Sequence, residues 1–427
     1  MTQRPWRDRR VFQLSVLRLA ILAFFQVLLL FPFTGSEAGT LEITFPEKGH
    51  AKGHDVLKGQ ETFSPYTLEE LRMLGVVMPP RGARVQETYK GIRFLASPSS
   101  RYSRRQLELL KMFIDRTPRL LLNPGPSAII TYRKGEVHFP PGTSPLSLAL
   151  ASGPYVFFDS SSFNTRGTFS AGSTEGVFRA FEHELVHVLQ FDRTTSSMDM
   201  EKALFRFRQR GLQKIWNRQA LDTKLVRSFV EVTGWSISPR SHRVRLHNRK
   251  DEKTSSYGKK NVLEDMAETI SLVVIGDTTQ LSRGRINWAV KVLGFKNILE
   301  ALKGTFPYSS LYKPVRLWGK GVTRFDGSKT ALFRKKYPLV DIEYFVNREQ
   351  NSFEPILKHL ESEFPRRGWR RLYAKSVRLK HGVQKRIMAY EGKWRDVYLE
   401  VITYDYATGY TLKPSGTIIT VLSGYKQ

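Results

Sequence analysis

Two histidines four residues apart, with a glutamate directly after the first, stand in "RAFEHELVHVLQFD", Arg179 to Asp192, a run otherwise almost wholly apolar. On a helix, at about 100° per residue, His183 and His187 project only about 40° apart, so both imidazoles can reach one ion. In a His-Glu-x-x-His pattern two neutral imidazoles bind Zn²⁺ and the intervening carboxylate, here Glu184, lies beside the metal-bound water. The plainer alternative is a helix carrying two satisfied histidines.

A catalytic zinc needs a third protein ligand and an open fourth position. The chain has no cysteine, so the ligand must be His, Asp or Glu. "YGKKNVLEDMAETISLVV", Tyr257 to Val274, offers Glu264 and Glu268, again four apart on a helix made apolar by Leu263, Met266, Ala267 and Ile270. Like charges at this spacing repel, and more so when desolvated. A cation between the two helices removes the objection: Glu264 binds the metal, and Glu268 accepts a hydrogen bond from a ligand histidine and sets its tautomer. An exposed acidic helix start, favoured by the macrodipole, would account for Glu264 and Asp265 but not for the whole set.

With both segments in view, residues 155–275 resemble the catalytic core of the gluzincin metallopeptidases, in which a Glu on a second helix completes His-Glu-x-x-His. The second segment is most similar to catalytic domains of the anthrax lethal factor type, whose pattern Tyr-Gly-x-x-Asn-x-x-Glu-x-x-Ala-Glu is matched by Tyr257, Gly258, Asn261, Glu264, Ala267 and Glu268. The resemblance implies Glu264 as ligand, Glu268 behind the ligands, and Tyr257 as a hydroxyl near the scissile carbonyl. It also implies a zincin-like α+β core, a small mixed sheet with active-site helices. The 77 positions from His187 to Glu264 are a longer connection than in that relative, so substrate choice does not carry over. The expected reaction is peptide hydrolysis by a zinc-activated water, with Glu184 as general base passing its proton to the leaving nitrogen and Tyr257 hydrogen-bonding the oxyanion.

The elements that must position these groups are partly legible. "SRRQLELLKMFIDRTP" predicts a helix capped by Ser103 and stopped before Pro118, with Leu107, Leu109, Leu110 and Phe113 inward. "AIITYRKGEVHF", with a Lys134-Gly135 turn at its centre, and "YVFFD", Tyr155 to Asp159, read as strands. The second of these is expected to be the sheet edge along which an extended peptide pairs. The histidine helix should run from about Thr174 to Phe191, with further helices from about Met200 to Gln219 and from Leu221 to Val232, then a basic loop, then a helix beginning near Asn261. After about Gly327 the order strand ("VDIEYFV"), helix (Phe353, Ile356, Leu357, Leu360 and Phe364 on one face) and several antiparallel strands predicts a small α+β domain. The organisation expected is therefore 66–326 for the metallopeptidase domain and 338–427 for the C-terminal one.

Length and charge complete the reading. A chain of 427 residues can bury its cores without covalent staples. The N-terminus places five arginines before the apolar run Leu19 to Phe33 and a small-x-small site at Ser36-Glu37-Ala38. This predicts a signal peptide over 1–38, or else an N-terminal anchor, and an exported (periplasmic or secreted) body in either case. Residues 39–65, with His50 and His54, read as a linker or arm. The formal charge of +29 points to an anionic envelope surface as a possible partner beside a protein or peptide substrate, with nucleic acid not expected. The rival reading is a non-catalytic envelope protein binding a polyanion (wall polymer, lipid or nucleic acid) through "PRRGWRRLYAK" and "EGKWRDVYLE", where Arg366, Arg367, Arg370 and Arg371 interleave with Trp369, Trp394 and Tyr398. A solvated strand face with basic side chains lying over aromatics would look the same. The sequence carries no signal for oligomeric state.

Overall fold

The computed structural model describes residues 68–139, 149–160, 173–196, 198, 219–238, 244–246, 258, 261–314, 327–349, 351–379, 383–404 and 416–426. The signal segment, the arm with His50 and His54, the 200–219 helix except for its final residue, most of the basic loop, and Tyr257 lie outside them. No helix among the described residues is long and apolar enough to cross a membrane. The described residues belong to one compact α+β unit.

A five-stranded mixed sheet forms the N-terminal half: β1 (Arg84–Tyr89), β2 (Ile92–Ala96), β3 (Ala128–Tyr132), β4 (Leu150–Ser152) and β5 (Tyr155–Asp159), in the order β1-β2-β3-β5-β4. β2, β3 and β5 run parallel, and the two outer strands are antiparallel to their neighbours. Alternate side chains feed two cores. Phe94, Ile129, Val156 and Phe158 face the helices, while Leu95, Ile130 and Phe157 pack beneath α1 (Leu68–Met73) through Leu71.

Two expectations need correction. β5 is not the sheet edge: it is flanked by β3 and β4, and among the described residues β4 is the edge on that side, with β1 at the other. Three residues, Leu-Ala-Ser, are too few to show an alternating pattern, so β4 escapes a sequence reading. The run after the Lys134-Gly135 turn is also no strand; β3 ends at Tyr132, and its partners come from distant segments instead of a local hairpin.

Helix α2 (Arg104–Arg116) starts at Ser103 in a capping box closed by Gln106. It presses Phe113 against Phe178 and Phe181, at 5.1 and 5.9 Å between ring centres, on α3 (Thr174–Ser196). α4 (Lys224–Glu231) and the β6 (Trp235–Ile237) and β7 (Val244–Leu246) pair follow, then α5 (Val262–Ile275) lies against α3. Asn261 caps α5 by accepting from the N–H groups of Leu263 and Glu264 at 2.9 and 3.0 Å. α6 (Arg283–Val292) and α7 (Ile298–Leu302) complete this half.

After β8 (Lys313–Pro314) and α8 (Gly327–Lys336), an antiparallel sheet follows in the order β10-β11-β12-β13-β9-β8: β9 (Leu339–Asn347), β10 (Arg370–Arg378), β11 (Gln384–Glu391), β12 (Arg395–Tyr404) and β13 (Gly416–Tyr425). α9 (Phe353–Arg366) covers one face with Ile356, Leu357, Leu360 and Phe364, the last stacked on Tyr390 at 4.1 Å. Leu339 and Tyr425 of this sheet belong to the first core, so the two halves share a seam. Buried charge crosses it. Glu175, at the start of α3, takes a bidentate pair from Arg116 at 2.7 and 2.9 Å, with Arg395 at 3.6 Å and the Tyr425 hydroxyl at 3.4 Å.

Candidate metal centre

α3 and α5 set the site by facing one another. His183 Nε2 lies 3.0 Å from Glu264 Oε2, His187 Nε2 lies 3.2 Å from the same oxygen, and the two imidazole nitrogens are 3.1 Å apart. These three atoms can hold one metal ion. A tetrahedral ion with bonds of ~2.0–2.1 Å separates its ligand atoms by about 3.3–3.4 Å, close to the triangle seen.

The protonation pattern agrees. Gln190 Nε2 donates to the Leu263 carbonyl at 3.0 Å, which turns its Oε1 to His187 Nδ1 at 2.8 Å. An oxygen there only accepts, so His187 holds a proton on Nδ1 and leaves Nε2 as the nitrogen that faces Glu264 and would bind an ion on giving up its own proton. Burial disfavours charge on His187, but Glu264 and Glu184 outweigh it and push its pKa up to about 9. Burial works against the Glu264 carboxylate too, and the two imidazoles reverse this and hold it well below the usual carboxylate range. The centre draws positive charge, as a cation would satisfy.

Both acids flanking His183 are accounted for. Glu182 turns to the opposite face, fully buried, where it meets Thr117; burial pushes its pKa up to about 8, so it sits there neutral. Glu184 turns to the sheet, and the backbone N–H of Ala151 on β4 donates to its Oε2 at 2.6 Å. Burial raises the Glu184 carboxyl, against the lowering effect of both imidazoles and that N–H, which makes it a better proton acceptor than a surface glutamate.

Glu268 sits behind His183, Oε1 at 3.6 Å from Nδ1, while its Oε2 takes a 2.5 Å hydrogen bond from Arg179. Arg179, His183 and His187 are successive residues of one i,i+4 ridge, opposed by Glu264 and Glu268. Sequence reasoning missed Arg179 and Gln190, although their spacing of four and three from the histidines was a usable signal. It also missed what holds α5 in register. Asp265 is fully buried and binds Arg285 through two hydrogen bonds of 2.8 and 2.7 Å, with Trp235 Nε1 donating at 2.6 Å. An exposed acidic helix start therefore does not describe Asp265.

The basic aromatic stretches divide. Trp369 is buried, its Nε1 donating to the Thr305 carbonyl at 3.0 Å, and Arg367 is buried against the Phe306 carbonyl and Thr305 Oγ1. Arg366 and Arg370 are exposed and paired with Glu363 and Glu391, and Arg371 is exposed. Comparison of the chain with protein-family models, with curated proteins and with solved structures finds no match.

Proposed function

We propose that the chain is an exported zinc-dependent endopeptidase of the gluzincin kind, with His183, His187 and Glu264 as ligands and Glu184 as general base. One observation carries the reading: Glu184, next to His183 in sequence and one helical turn from His187, is held by the N–H of Ala151 on the edge strand β4, while both histidines meet Glu264. A structural metal would have no use for Glu184. A bound Zn²⁺ would supply Lewis acidity and a water of lowered pKa.

The chain supplies the rest. Glu184 takes a proton from the attacking water and returns it to the leaving nitrogen. Gln190 keeps the His187 lone pair inward, and Glu268 stands where it steadies His183. Because the Ala151 N–H points to Glu184 and not to β5, the Ala151 carbonyl also faces outward, by the alternation of antiparallel pairing. An extended peptide adding to β4 would meet that carbonyl and pass beside Glu184. Tyr257 is assigned to the oxyanion on the family resemblance.

A peptide-library digest tests this, run with and without chelator and with Glu184→Gln as control. Cleavage that disappears in both is expected. Turnover unchanged in Glu184→Gln would sink the reading.

A further inference from the structure

A concave site lies at the seam, away from the histidines. It is a cleft of about 730 Å³ between α2, the β1–β2 turn and the C-terminal sheet, within the range of ~300–1,000 Å³ usual for small-molecule sites. Its floor is apolar: Leu109 and Met112 from α2 face Leu339 at the start of β9 and Trp394 in the turn between β11 and β12. Its rim is basic, with five cationic side chains against two carboxylates.

Those carboxylates are already neutralised. Asp115 takes Lys90 at 2.5 Å and the Tyr89 hydroxyl at 2.9 Å, and Glu108 takes Lys111 at 3.0 Å. Lys426 is paired with Asp396 at 2.8 Å. Arg104 and Lys393 differ: both are exposed, and among the described residues neither has an ion-pair partner. Lys393 lies over the Trp394 ring at 4.3 Å, so it brings charge to the mouth without leaving the aromatic surface. Arg104 and Arg105 open α2, whose first turn has no acidic residue. The helix dipole is positive there, so two arginines cost stability where a carboxylate would add it.

An apolar floor beneath two exposed cations, Arg104 and Lys393, suits one chemistry. We propose that this cleft binds a small anionic amphiphile, a flat aromatic or short acyl body with one carboxylate, sulfonate or phosphate group. The body lies on Trp394, Met112 and Leu109, and the anion meets Arg104 and Lys393. The inference does not depend on the peptidase reading.

The test is a fluorescence titration of the full chain with 8-anilino-1-naphthalenesulfonate, beside its uncharged analogue N-phenyl-1-naphthylamine. The expected result is saturable one-to-one binding of the sulfonate, at least tenfold tighter than the analogue. It should weaken at least tenfold in the Arg104→Glu, Lys393→Glu double variant and persist in Glu184→Gln and with chelator. Circular dichroism of the double variant checks that its fold is unchanged, and Trp394→Ala, which removes only floor, should weaken both probes. Equal affinity for the two probes, an unaffected double variant, or no saturable uptake, as a cleft filled by another part of the chain would give, overturns the proposal.

Discussion

Glu184 Oε2 accepts a 2.6 Å hydrogen bond from the Ala151 N–H, which ties the would-be base on α3 to the edge strand β4. The base therefore has its position set by backbone, and its charge partly offset, before any substrate arrives. Replacing the carboxylate by an amide keeps the shape and removes the basicity. Glu184→Gln is expected to retain one zinc per chain by metal analysis while peptide hydrolysis falls at least ~100-fold.

His183→Ala and Glu264→Ala each remove one corner of a triangle whose edges are 3.0 to 3.2 Å. Metal content after dialysis should fall close to zero in both. Full occupancy persisting in both variants would contradict the ligand assignment.

Glu268→Gln and Gln190→Leu address the groups behind the histidines. Each should weaken zinc affinity by roughly 10 to 100-fold without unfolding the chain, read by competition with a chromogenic chelator. Affinity equal to wild type in both variants would show that neither group orients a ligand.

Asp265→Asn should destabilise the fold by about 3–5 kcal/mol, because Arg285, only 1% exposed, then keeps a buried charge without its counter-charge. Denaturant unfolding measures this. A change below about 1 kcal/mol would mean that the pair does not anchor α5.

Acid sensitivity should trace to Glu175. Burial would raise its pKa, but Arg116 and Arg395 bring it down to about 2, below the value of 4.5 expected in the unfolded chain. A depressed carboxylate contributes stability that is present above about pH 4.5 and lost as pH falls through about 2, here roughly 3 kcal/mol at one pH unit per 1.36 kcal/mol. The stability difference between wild type and Glu175→Gln should therefore be large at pH 7 and shrink between pH 4.5 and 2. A difference independent of pH would refute the assignment.

Glu343 has the opposite sign. Burial, opposed by Arg395, pushes its pKa up to about 7, so its contribution is present below about pH 4.5 and lost as pH rises through 7. Glu343→Gln, neutral throughout, should be more stable than wild type at pH 8 and similar at pH 4. Lower stability at both pH values would show that the charged form is the one the seam needs.

The sequence spoke clearly where chemistry and helical period coincide. His183, His187 and Glu264 were legible because i,i+4 spacing is a local property, and Ser103 because a cap acts on its own helix. Strand β4 was silent, since three residues carry no period and its role comes from pairing with β5. Arg285, Arg367 and Arg395 carry no mark in the sequence that sets them apart from surface charge. Only partners such as Asp265, the Phe306 carbonyl and Glu175 reveal them as interior, and those lie 20, 61 and more positions away. A buried arginine has no signature until the fold supplies its acceptor.

The order of synthesis gives the seam a further meaning. β13 lies between β12 and β9 and ends in Tyr425, whose hydroxyl reaches Glu175 from 250 positions further along the chain. The helix that bears both histidines thus has its first turn finished by residues that leave the ribosome long after it. A nascent chain halted before residue 416 cannot close that contact or the centre of the C-terminal sheet, and such long-range closure is slow. Assembly of this end of the molecule, the first turn of the histidine helix included, therefore waits for residues 416–425.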